Sequence, residues 1–204
     1  MRFGEAAMTV MGCALLIGGC ATLPMTGQGT ASVDLAPVPA DAQSRFERAL
    51  ALMQAGDDRA ERELISLAED YPQLAGPHVN LGLVYARSDR LDLAEAALTE
   101  ALERNPDNAA ACNELAIVYR RSGRFAEAEQ AYARAVAVDP GYALAWRNRG
   151  VLNDLYLQRP EAALEAYERY QALQPQADEG VAKWIADLRL RIESSQRTAQ
   201  AGAP

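Results

Sequence analysis

Few side chains in this sequence are equipped for chemistry. There is one histidine, His78, and there are three cysteines, Cys13, Cys20 and Cys112, in 204 residues. Proton-transfer catalysis requires a positioned acid and base, and a metal site requires clustered His, Cys, Asp or Glu ligands. The chain has no HExxH, no paired CxxC and no glycine loop of the kind that cradles phosphate. Its acids are spread along what read as exposed helix faces, and no two form a pair that could act as acid and base. His78 reads as a packed or cap-bonded imidazole, and Cys112 as a buried free thiol. No catalytic residue, metal ligand or cofactor is expected. The net charge of −8 argues against nucleic acid, because phosphate binding needs a surplus of Lys and Arg. No small-molecule substrate is expected either.

Cys20 has the most informative neighbours. Arg2 supplies a small positive start, weakened by Glu5, and an uncharged, mostly apolar segment runs from Ala6 to Ile17. That is about the length of a signal-peptide core and too short to span a bilayer comfortably. Ile17-Gly18-Gly19-Cys20 then resembles the bacterial lipobox, with Val10-Met11-Gly12-Cys13 a weaker competing match. Small residues let the cleavage site thread into a peptidase, and the thiol accepts a diacylglycerol. The resemblance implies a signal peptide over 1–19 and lipidation of Cys20, whose several acyl chains would anchor the chain stably. A plain secretory signal and an uncleaved apolar terminus are the alternatives. Ala21 rather than Asp after the cysteine points, by resemblance to enterobacterial sorting, to the periplasmic side of the outer membrane. Residues 20–40 are rich in Gly, Pro, Thr, Ser and Ala and read as a flexible tether of about 25 Å typical reach.

The elements behind these side chains are set by a repeat. His78, Leu81, Gly82, Tyr85, Ala94, Leu98, Ala101 and Pro106 correspond to Cys112, Leu115, Ala116, Tyr119, Ala128, Tyr132, Ala135 and Pro140, each 34 positions later. Two antiparallel helices with short connections consume about 34 residues. Gly82 and Ala116 mark the close approach of two helices, faced by Ala94 and Ala128, and the prolines stop each second helix. The pattern resembles the tetratricopeptide repeat family. One hairpin cannot bury its apolar stripe alone, so neighbours must stack. The expected fold is an all-α solenoid over 41–193 of about four hairpins plus a capping helix.

Within that solenoid, 41–74 reads as a degenerate first repeat, with Arg48 at the small-residue position unless the register slips by one to Ala49. Repeats two and three span 75–108 and 109–142. The fourth, 143–176, matches at Trp146, Asn148 and Gly150. It has Arg149 in place of leucine, Tyr170 in place of alanine, and one inserted residue near Gln158-Arg159-Pro160. A wider gap filled by Tyr170 is expected there. Val181, Trp184, Ile185, Leu188 and Ile192 share a helical face, so 178–193 reads as a capping helix, or alternatively as a docking helix for a partner. Residues 194–204 read as a disordered tail.

The resemblance implies a groove lined by the first helices. Its positions fall on Val79, Leu83, Ala86 and Arg87; on Asn113, Ile117, Arg120 and Arg121; and on Arg147, Val151, Asp154 and Leu155. An apolar floor of Val79, Leu83, Ile117 and Val151 is then rimmed by Arg87, Arg120, Arg121 and Arg147. Guanidinium groups bind carboxylates bidentately, so the expected partner is a protein or peptide segment that is acidic or ends in a free carboxy terminus. The alternative is that these arginines are solvated or paired within the array. Val79 and Leu83 replace the lysine and asparagine of the family's chaperone-tail carboxylate clamp, which disfavours a cytosolic chaperone. The resemblance implies a non-enzymatic adaptor or assembly factor of an envelope complex, in pilus assembly, secretion or cell-wall enzyme regulation. A homo-oligomeric scaffold and a peptidoglycan-active enzyme are the rival readings.

Overall fold

The computed structural model describes residues 38–201. Among them are nine α-helices and no strand: α1 (Ala40–Gln54), α2 (Arg59–Asp70), α3 (Ala75–Arg87), α4 (Leu91–Arg104), α5 (Ala109–Arg121), α6 (Phe125–Val138), α7 (Ala143–Val151), α8 (Pro160–Ala172) and α9 (Glu179–Ala201). A π-helical turn, Leu152–Tyr156, continues α7. Consecutive helices pack as four hairpins, and each hairpin's second helix packs on the first helix of the next. The fold is the all-α solenoid expected. The expected signal peptide, Cys20 and most of the expected tether lie outside the described residues; Ala40, the last residue assigned to the tether, is the first of α1.

Local signals explain where the helices begin and end. The Asn108 side chain accepts from the Ala111 amide at 2.9 Å and caps α5. Pro160 occupies the first turn of α8, and Asp178 accepts from the Gly180 and Val181 amides to start α9. The second helices α4 and α6 end two residues before Pro106 and Pro140. Each hairpin turn holds one residue in the left-handed region: Gly56, Asp89, Gly123 and Gln158. The residue that follows donates its amide back into the first helix, as from Arg90 to Tyr85 and from Arg124 to Tyr119, both at 2.9 Å.

Helix spacing depends on the small-residue positions. A Cβ on Gly82 would meet Leu98 Cγ at 2.5 Å, and one on Gly150 would meet Tyr167 Cε1 at 2.4 Å. The nearest atoms facing these glycines are thus those of Leu98 and Tyr167; Ala94 and Ala128 are fully buried. In the first hairpin Ala49 is wholly buried, whereas the Arg48 side chain is 65% exposed. The register has slipped by one, and one residue fewer separates Ala49 from Ala60 than separates Gly82 from Ala94.

The fourth hairpin absorbs its inserted residue in the π turn, since a π-helical turn holds one more residue than an α turn. Arg159 consequently donates to Asn153 O, one position further back than in the other turns. Tyr170 is buried, and its hydroxyl donates to Asp178 at 3.0 Å. Arg149 lies 5.5 Å from the Trp146 ring centroid. On α9, Val181, Ile185 and Leu188 are buried, and the helix packs on α8. It does not end at Glu193 as expected: Ser194 to Ala201 continues as helix. This stretch contains no Gly or Pro, and Thr198 Oγ1 bonds back to Ser194 O.

Candidate protein-binding groove

The first helices adjoin one another, α3 with α5 and α5 with α7, while the second helices make at most marginal contact. The array therefore curves toward its first helices, whose outer faces form the inner surface. Val79, Leu83, Ile117 and Val151 are half-buried there, and Val79, Ile117 and Val151 pack against the core.

The polar positions divide into engaged and open groups. Asn113 is 1% exposed. Its Oδ1 accepts from Asn148 Nδ2 at 3.0 Å and its Nδ2 donates to Glu114 at 3.1 Å, so it is a rung between α5 and α7. Arg121 donates to Ala86 O at 2.6 Å and to Asp89 at 2.8 Å. It pins the preceding hairpin's turn and is withdrawn from the groove. Asp154 accepts from Arg191 of α9 at 2.5 Å, with its side chain 12% exposed. Arg87 is exposed. Arg120 and Arg147 are half-buried, and the Nε of each is shielded from solvent without a hydrogen-bond partner among the described residues. Arg120 Nη1 donates to the Tyr156 hydroxyl at 3.2 Å, and the Arg147 guanidinium lies 5.7 Å from the Trp184 ring centroid.

Three neighbours escaped the sequence analysis. Glu114 is half-buried, and burial pushes its carboxyl above the usual range against the opposing pull of Asn113 and Arg87. Its signal lay in the repeat itself: Asn80, Glu114 and Asn148 recur at the same helical position. Tyr132 is completely buried, with a hydroxyl beside Arg120 but outside hydrogen-bonding geometry. Burial raises its pKa and the neighbouring guanidinium counters that rise. Tyr156 reaches Arg120 only because the π turn displaces it, which no spacing rule foretold.

Elsewhere the titratable groups read as structural. Burial lowers the pKa of His78 and raises that of the Cys112 thiol, which favours the uncharged form of each. Among the described residues no group of three His, Cys, Asp or Glu stands close enough to hold a metal ion, and no helix is long and apolar enough to cross a membrane.

A family model described as tetratricopeptide repeat matches residues 79–143 and 113–178. A search of curated proteins gives no significant match. Among solved structures, the Pseudomonas aeruginosa pilF protein superposes with a TM-score of 0.67 at 24% identity, covering 80% of this chain and 77% of its own. MamA from Desulfovibrio magneticus RS-1 gives 0.65 at 18% identity, over 80% and 92%. The first tetratricopeptide domain of Spaghetti (RPAP3), bound to the HSP90 peptide SRMEEVD, gives 0.55 at 27% identity, over 59% and 94%.

Proposed function

We propose that this tetratricopeptide array is a non-enzymatic adaptor or assembly factor whose inner surface holds an acidic segment of a partner polypeptide. One observation carries the reading. Arg87, Arg120 and Arg147 have no carboxylate partner among the described residues of a chain with 28 acids and 20 basic residues. Elsewhere on the array Arg45, Arg59, Arg90, Arg104, Arg124, Arg159, Arg189 and Arg191 pair with acids, whereas Arg62 is exposed, Arg134 bonds Pro106 O, and Arg149 and Arg169 lie over Trp146. Arg120 and Arg147 differ in standing half-buried beside the apolar floor of the first helices. Arg120 and Arg147, half-buried beside an apolar floor and left unpaired, suit a ligand that brings its own carboxylates. The peptide bound by the Spaghetti domain is itself acidic, which supports the same chemistry.

The lipobox-like run ending at Cys20 supports a second element: acylation of that cysteine, anchorage at the periplasmic face of the outer membrane, and a role in an envelope complex. Two experiments test these readings. Arg120→Glu combined with Arg147→Glu should abolish crosslinking of the partner in cells while circular dichroism shows the helices intact; undiminished crosslinking removes the groove reading. Cys20→Ser should shift the protein from the membrane to the soluble fraction, and retention in the membrane removes the lipid anchor.

A further inference from the structure

We propose that Arg120 and Tyr156, backed by the buried Tyr132, form a receptor for one side-chain carboxylate of the bound segment, a site that rests on the groove reading and fixes where the ligand's charge lands. The three residues come from α5, α6 and the π turn. Arg120 donates to the Tyr156 hydroxyl at 3.2 Å and lies 5.5 Å from the centroid of that ring. The remaining donors of its guanidinium, the shielded Nε included, have no geometrically aligned acceptor among the described residues. The Tyr132 hydroxyl, on a completely buried side chain, lies behind the guanidinium, where it can orient Arg120 but is out of a ligand's reach. A buried hydroxyl is costly to leave unbonded, and here it sits beside the guanidinium. A carboxylate arriving at Arg120 would accept from the guanidinium and from the exposed Tyr156 phenol at once.

The arrangement occurs once in the array. Ala86 and Asp154 take the place of Arg120 in the neighbouring hairpins, Leu98 takes the place of Tyr132 in the second, and Ser88 and Ser122 stand where Tyr156 falls. The groove continues on both sides, along Val79 and Leu83 of α3 and along Val151 of α7. A segment crossing Arg120 therefore runs through, and the carboxylate belongs to an Asp or Glu side chain rather than to a chain end. Glu114, six residues earlier on α5, disfavours a run of adjacent acids, so the site selects one.

The test uses dansyl-Ala-Glu-Ala-Leu-amide, its Gln counterpart, and the Gln peptide with a free carboxy terminus, each titrated against the full chain by fluorescence anisotropy. The Glu amide should bind about tenfold more tightly than the Gln amide. Arg120→Gln should abolish that preference, and Tyr156→Phe, which keeps the ring and its packing on Phe125, should reduce it severalfold. Equal binding of the two amides overturns the site. A preference that survives Arg120→Gln but disappears in Arg147→Gln overturns it and leaves the groove reading standing. Tighter binding of the free-terminus peptide than of its amide overturns the side-chain assignment. Failure of the wild-type chain to bind any of the three removes the site and the groove reading together.

Discussion

Tyr167 occupies the space that any side chain at Gly150 would need: a Cβ there would lie 2.4 Å from Cε1 and 2.5 Å from Cδ1 of the ring. Helix propensity favours alanine over glycine by about 1 kcal/mol, whereas forcing a methyl into a filled core costs about 1–3 kcal/mol. The steric effect should win because the obstructing atoms are part of a rigid ring. Gly150→Ala is expected to lower stability in urea denaturation by roughly 1 kcal/mol or more, and Gly82→Ala, which would meet Leu98, to behave likewise. A stabilised Gly150→Ala would show that the helices can part at no cost.

Gln158 holds φ at 53° in the turn before α8, where the third hairpin has Gly123 at 76°. A non-glycine residue in this region carries a strain of about 1 kcal/mol. Gln158→Gly should raise the unfolding free energy in urea denaturation and Gly123→Ala should lower it, each by about 1 kcal/mol. Asp89 shares the conformation but also accepts from Arg121, so Asp89→Gly should gain less than Gln158→Gly.

Glu114 makes stability depend on pH in a defined direction. Burial raises its folded-state pKa above the unfolded value. The folded state then binds the proton more tightly, so stability falls as pH rises from the unfolded to the folded pKa. Glu114→Gln should be more stable than wild type at pH 7, and the difference should shrink as pH falls from the raised folded-state pKa to the ordinary glutamate range. A difference that does not vary with pH would show that the carboxylate is fully compensated in place.

Leu188 is completely buried where α9 meets α8. Leu188→Ala should cost about 2–5 kcal/mol, as for other buried leucines. Residues 194 to 200 are all exposed, so ending the chain after Glu193 should change the denaturation midpoint by less than about 0.5 kcal/mol. A larger loss would mean that the terminal turns of α9 hold the cap in place.

The Cys112 thiol is 1% exposed and its pKa is raised by burial. The thiolate is the reactive form. Peptide mapping after brief treatment with iodoacetamide should find Cys112 unmodified in the native protein and fully modified in urea. Rapid native labelling would show that α5 opens readily.

The hairpins were legible in the sequence because their period is long and their small residues recur at fixed points. Local irregularities were harder to locate. Arg48 and Ala49 are adjacent candidates for one position, and only packing against Leu64 and Leu67 selects the alanine. The extra residue of the fourth hairpin could be counted but not placed, because a π turn before Leu157 and a longer loop after it have the same length. Groove positions followed from the repeat, yet the occupation of Arg121 and Asp154 did not, since Asp89 and Arg191 lie 32 and 37 residues away. Glu114 was passed over because an exposed and a half-buried glutamate are spelled alike.

The π turn has a consequence for molecular recognition. A strictly periodic surface offers an extended ligand several equivalent seats, each shifted by one rung, and so cannot fix its alignment. One surplus residue between Leu152 and Tyr156 breaks that degeneracy by bringing a phenol beside one guanidinium and no other. On the proposed reading, an imperfection in the repetition thus gives the surface an address, and a guest that finds it has only one way to lie.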